Sequence, residues 1–198
     1  MDKNRLEAFS DGVMAIILTI MVLELKVPHT TGWISLWANW PVFISYALSF
    51  IFVGLYWSSH HYLFHKATKV NNKVLWANLL GLFWLSLLPF SAAWMGENAF
   101  EKTTVTLYAI LLTLCVVSYV ILVHQLRHLH GFNSTFSKTF KGNKKSYLTI
   151  FLNLSAAVIS SLGLPKIAFL LLVIVSLSWF IPNHVFDNKH LEPENGDE

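Results

Sequence analysis

The chain has 198 residues, of which 55% are hydrophobic and only 13% charged, with 15 Phe and 8 Trp. A soluble domain carries charge on about one residue in four, so this composition excludes an ordinary soluble protein and predicts an integral membrane protein. The net charge of +3 does not point to nucleic acid, because the lysines sit in short loops between apolar runs and no recognition motif accompanies them.

The first apolar run, RLEAFSDGVMAIILTIMVLELKV over residues 5–27, places Asp11 at the start of a membrane helix. A carboxylate in hydrocarbon is costly unless it has a partner, a wet cavity or a place near the interface. The run lacks a small-residue cleavage site after its apolar part, Val13 to Leu25, and further apolar spans follow, so it reads as a retained helix and not a signal peptide. About 20 apolar residues cross a bilayer, and on that measure spans are predicted near 6–26, 40–64, 74–95, 104–126, 147–163 and 166–186. Leu164, Pro165 and Lys166 join the last two, where a turn is expected and a re-entrant pair is the competing reading. Cys115 lies within an apolar run as the single cysteine, which excludes an intramolecular disulfide and a thiolate metal cluster. The expected architecture is therefore all-α: one integral membrane domain of six transmembrane helices over residues 1–186, then an acidic, solvated cytoplasmic tail over 187–198.

Basic side chains give an orientation. Lys66, Lys69 and Lys73 lie between the second and third spans, and Arg127, Lys138, Lys141, Lys144 and Lys145 between the fourth and fifth; the alternate loops hold only Lys26, Lys102 and Lys166. By the positive-inside rule the two basic loops, and with them both termini, are expected in the cytoplasm. Trp33, Trp37, Trp40, Trp94 and Trp179 fall near span ends, as interfacial anchors do. No inverted pair of interrupted helices of the kind found in many secondary transporters is visible.

At about 100° per residue, Ala8, Asp11, Gly12, Ala15 and Thr19 form one stripe of small or polar side chains on the first helix, which favours close approach of another helix. Ile16, Ile20 and Leu23 form an adjacent branched stripe. It reads either as lipid contact and ordinary packing or, if copies surround an axis, as rings that gate by dewetting. Arg5 and Asp11 stand six residues apart and so do not form an i,i+4 pair. Their partners are expected on a neighbouring helix, where Trp57, His60 and His61 occupy about one turn. Adjacent histidines point about 100° apart, so both are not expected to face one partner. Structural support is the leading reading of this network over ion coordination or proton transfer. His124 and His128 share a helical face but lack the Glu of HExxH, so metal catalysis is not expected. No GxSxG, Walker A, dinucleotide loop or paired-carboxylate site is present, and the chain does not read as an enzyme.

Arg5, Phe9, Ser10, Asp11 and Gly12 in RLEAFSDG, the isoleucine-rich helix that follows, and the Trp57 to His61 region resemble the prokaryotic TMEM175 family. The resemblance implies a potassium-permeable cation channel, assembled as a homotetramer from six-helix subunits in the prokaryotic plasma membrane, with the first helices lining the pore. It implies a hydrophobic constriction at Ile16, Ile20 and Leu23, a pore-facing hydroxyl at Thr19, and an interhelix network drawing on Arg5, Phe9, Ser10, Asp11, Trp57, His60 and His61. No cofactor is implied; the permeant ion is K+, with Na+ and other monovalent cations as further candidates. The chain lacks TVGYG, which agrees with the resemblance and excludes the usual carbonyl filter. A secondary transporter and a structural membrane subunit are the alternatives.

Overall fold

A computed structural model describes residues 2–28, 31–142 and 144–180. The chain forms α1 (Lys3–Leu23), the short α2 (Trp33–Ala38), α3 (Trp40–Lys66), α4 (Asn72–Ser86), α5 (Leu88–Glu97), α6 (Lys102–His130), the short α7 (Thr135–Thr139), α8 (Lys144–Ser161) and α9 (Pro165–Ser178). Local chemistry sets the boundaries. Asp2 caps α1 by accepting from the Asn4 N–H, and Asn71 caps α4 by accepting from the Val74 N–H, each satisfying a donor the helix leaves unpaired. Pro89 stands in the first turn of α5, where its missing N–H breaks what is otherwise one rod from Asn72 to Glu97.

The expectation of six transmembrane helices is corrected here. Among the described residues, four helices are long and apolar enough to cross a membrane: Lys3–Leu23, Trp40–Lys66, Asn72–Glu97 (α4 with α5) and Lys102–His130. α8 falls short in hydropathy because Lys144, Lys145 and a polar stripe of Ser146, Thr149, Asn153 and Ser160 interrupt its apolar residues, and that stripe is buried within the subunit. α9 is apolar but has 14 residues, about 21 Å at 1.5 Å per residue, against a hydrocarbon core of about 30 Å. The end of the expected 166–186 span and the acidic tail over 187–198 lie outside the described residues.

α8 and α9 fold back on one another and pack against α6. Their turn forms by the expected glycine and proline chemistry. Gly163 adopts φ +96°, the Gly163 N–H donates to the Ser160 carbonyl and the Leu164 N–H to the Ile159 carbonyl, and Pro165 then starts α9. The N-terminus of α1 meets the C-terminus of α3, where Lys3 Nζ donates to the Phe64 carbonyl at 3.2 Å. The C-terminus of α6 meets the α3–α4 connection, where the Thr68 N–H donates to His130 Nε2 at 3.1 Å. The two basic loops therefore gather at the same end of the bundle.

The core runs along the bundle through Met14, Ile17, Met21, Leu48, Leu85, Leu88, Met95, Tyr108, Leu112 and Leu172. A second cluster at the basic end joins Leu6, Leu63, Phe64, Val74, Leu122, Leu126 and Phe136. α5 and α3 touch at backbone distance: a Cβ built on Gly96 lies 2.7 Å from the Val42 Cα and also meets the Ser45 hydroxyl. Gly96→Val should thus force α5 away from α3 at an overpacking cost of about 1–3 kcal/mol. Thermal unfolding in detergent measures it, and a melting temperature equal to that of the native chain would contradict this close approach.

Candidate functional site

α1 has two unlike halves. Leu6, Ser10, Met14, Ile17 and Met21 recur every three or four residues and are buried against the rest of the subunit. The small stripe does not make that contact. Ala8, Gly12, Ala15 and Thr19 lie on the opposite, exposed side, and a Cβ at Gly12 would meet nothing within 4 Å. The two methionines, with their adaptable thioethers, are part of this interior face. The branched stripe is uncovered as well, with Ile16 59% and Leu23 78% exposed, Ile20 also exposed, and Phe9 beside them at the N-terminal end. The Thr19 hydroxyl donates to the Ile16 carbonyl at 2.8 Å, which leaves its oxygen on the exposed side as an acceptor.

The polar groups near the N-terminal end of α1 divide into a buried chain and an exposed layer. In the buried chain, Ser10 Oγ donates to the Leu6 carbonyl at 2.8 Å, Asn78 Nδ2 donates to Ser10 Oγ at 2.9 Å, and His60 Nε2 lies 2.7 Å from Asn78 Oδ1. Each link fixes the next, so the Asn78 oxygen faces His60 and the His60 proton on this side sits on Nε2. His60 Nδ1 is buried with no partner among the described residues. This chain ties α1 to α4 and α4 to α3.

The exposed layer joins α1 to α3 directly. Trp57 Nε1 donates to Asp11 Oδ1 at 2.9 Å, and His61 Nδ1 stands 3.2 Å from Glu7 Oε1. The Trp57 and His61 rings stack with centroids 5.7 Å apart. The adjacent histidines point apart, one to Asn78 and the other to Glu7, and neither contacts Asp11. Arg5 is exposed and makes no ion pair with Asp11. Of the residues the sequence offers, Ser10 and His60 meet through Asn78, Asp11 meets Trp57, His61 meets Glu7, and Arg5 and Phe9 join neither group. Asn78 and Glu7 were missed. Asn78 had a readable signal: it is the single polar residue between Val74 and Leu85, and an amide inside an apolar span needs a partner.

The opposite end of α1 is held differently. Lys26 pairs with Glu97 at the end of α5, and that carboxylate holds the exposed Lys26 ammonium above its usual range. Among the other described histidines, His65 stacks on His61. His130 Nδ1 bonds the Leu126 carbonyl, while His124 and His128 lie against Phe132. Among the described residues, no group of three His, Cys, Asp or Glu side chains could hold a metal ion.

Long apolar helices knit by a buried polar chain, with a half-uncovered first helix, define a multi-pass integral membrane protein. The family model described as "Endosomal/lysosomal potassium channel TMEM175" matches residues 5–89. A potassium channel of Chryseobacterium sp. (strain P1-3) is 44% identical over 183 residues, covering 92% of this chain and 95% of the relative. A potassium channel of Streptomyces collinus is 34% identical over 121 residues, 59% of each chain. The fold is similar to that of the crystal structure of a lysosomal potassium-selective channel TMEM175 homolog from Chamaesiphon minutus, with TM-score 0.75 and 23% identity over 90% of this chain and 96% of that one. The chain belongs to the TMEM175 potassium-channel family, a family of cation channels and not of enzymes.

Proposed function

We propose that the chain is a potassium-permeable cation channel whose ion path is formed by α1 from each of four copies in a lipid bilayer. The observation that carries this reading is the uncovered half of α1, on which a small stripe and a branched stripe lie side by side. Ala8, Gly12, Ala15 and Thr19 permit a neighbouring copy to approach closely. Ile16, Ile20 and Leu23 then face the symmetry axis as stacked rings that constrict and dewet the path. Thr19, between these rings, offers an acceptor oxygen to a partly dehydrated cation. K+ is the principal permeant ion, as the names of the bacterial relatives suggest, and Na+ and other monovalent cations are candidates for the same path. The buried Ser10–Asn78–His60 chain and the Asp11–Trp57 bond support α1 from behind and do not touch the ion.

Reconstitution in liposomes tests the function: potassium should move down its gradient with unitary currents and without a coupled solute. An Ile16→Cys chain in a Cys115→Ala background tests the placement. Mild oxidation should crosslink subunits in detergent with a yield that persists on dilution. Obligatory coupling to a second solute would replace the channel with a transporter, and a conducting monomer would overturn the central path.

A further inference from the structure

A groove of about 270 Å³ runs between the N-terminal half of α8 and the C-terminal half of α9, with Leu148, Leu152, Leu171 and Ile174 along its walls and Lys144 and Lys145 at its mouth. It is open to the outside of the bundle, and Tyr147, Phe151, Leu170 and Leu177 on the same two helices are exposed apolar side chains. Trp179 shapes the mouth. Its indole N–H donates to Thr149 Oγ1 at 3.0 Å, and Lys145 Nζ lies 4.8 Å from its ring centroid, which holds the ammonium beside the groove. α8 begins at Lys144, beside this mouth.

Among the described residues this end is predominantly basic, with Asp2, Glu7 and Asp11 at the N-terminal end of α1 as its carboxylates. From residue 102 to residue 186 the sequence contains no Asp or Glu, while Arg127, Lys138, Lys141, Lys144 and Lys145 all fall at or beyond the end of α6 and at the start of α8. An apolar slot on the outside of the bundle, ending in two ammonium groups, has the chemistry of a lipid with an anionic head group.

We propose that this groove binds one anionic phospholipid, its phosphate held by Lys144 and Lys145, and one acyl chain lying against Leu148, Leu152, Leu171 and Ile174. The site is remote from α1, and its occupancy is read without ion flux, so it stands or falls separately from the proposed pore.

The test uses the purified full chain in mild detergent, titrated with phosphatidylglycerol or with phosphatidylcholine of the same acyl chains, with adducts counted by native mass spectrometry. Phosphatidylglycerol should be retained about tenfold more tightly, which is about 1.4 kcal/mol. K144Q/K145Q should reduce it to the phosphatidylcholine level, and K102Q/K166Q, at the other end of the bundle, should not. L152W, which fills the slot, should lose the lipid while both lysines remain; its melting temperature reports whether the fold is kept, and K144Q/K145Q decides if it is not. Equal retention of the two lipids, or no effect of K144Q/K145Q, overturns the site. Displacement by millimolar inorganic phosphate would make it a free-anion site. A tenfold gain in D187N/E192Q/E194Q would give the groove to the acidic tail, and retention by dissociated subunits alone would give it to a second copy; each overturns the lipid assignment.

Discussion

Ile16→Asn raises potassium flux through reconstituted protein by about tenfold and lowers potassium-over-sodium discrimination. The reason lies in what a constriction of branched side chains does to water. A ring of isoleucines leaves a passing cation without replacement ligands and tends to dry the path. An amide at each position restores hydrogen-bonding groups, and a barrier lower by about 1.4 kcal/mol is worth a factor of ten in rate. Ile16 is 59% exposed in the single subunit, so the substitution removes little internal packing and the fold should survive it. Ile167→Asn on α9, equally exposed but remote from α1, serves as the control. The comparison is of unitary current and reversal potential at equal tetramer fraction. Unchanged currents in Ile16→Asn would take Ile16 out of the constriction, and a matching rise in the control would mean that polar substitutions simply make the protein leak.

Asn78→Leu should be the most disruptive single change near the N-terminal end of α1. The leucine matches the amide in size but supplies neither the acceptor for His60 Nε2 nor the donor for Ser10 Oγ. His60 is 1% exposed and its Nδ1 already has no partner among the described residues, so the imidazole would be buried with both nitrogens unpaired. Leaving a buried polar group unsatisfied costs about 1–3 kcal/mol. His60→Leu combined with Asn78→Leu should recover part of the loss, since an apolar pair no longer carries the orphaned ring. Asp11→Asn, by contrast, weakens one exposed bond to Trp57 and should cost less. Melting temperature and tetramer fraction across these variants give the order, and a larger loss for Asp11→Asn would transfer the main support of α1 to the exposed layer.

How far the sequence reveals this molecule depends on the range of the interactions involved. The long apolar helices could be read because twenty or more apolar residues have few alternatives in a bilayer, and the Gly163–Pro165 turn because its chemistry is local. α8 and α9 were misread as further full spans because runs of leucine and isoleucine look alike whether they cross a membrane or cover a neighbour. The polar stripe on α8 that separates the two cases is buried within the subunit, against the start of α6 and the end of α9. On α1, periodicity marked a small stripe and a branched stripe, both exposed in the subunit, and did not pick out the face that packs against it. That face is Leu6, Ser10, Met14, Ile17 and Met21. The pairing of His60 with Asn78 joins residues 18 apart on two helices, and no local pattern encodes it.

The two ends of α1 are fastened by bonds of unlike strength. Ser10 is anchored through a buried relay to α4 and α3, whereas beyond Met21 the helix is held by an exposed ammonium–carboxylate contact, the kind that salt readily screens. Taken as a lever with its fulcrum at Ser10, α1 would move most at its far end. Leu23 lies thirteen residues along, about 20 Å from that fulcrum at 1.5 Å per residue. A tilt of about 10° would carry Leu23 sideways by about 3.4 Å and Ile16 by less than half of that, so in the proposed path any widening would be greatest at the Leu23 end.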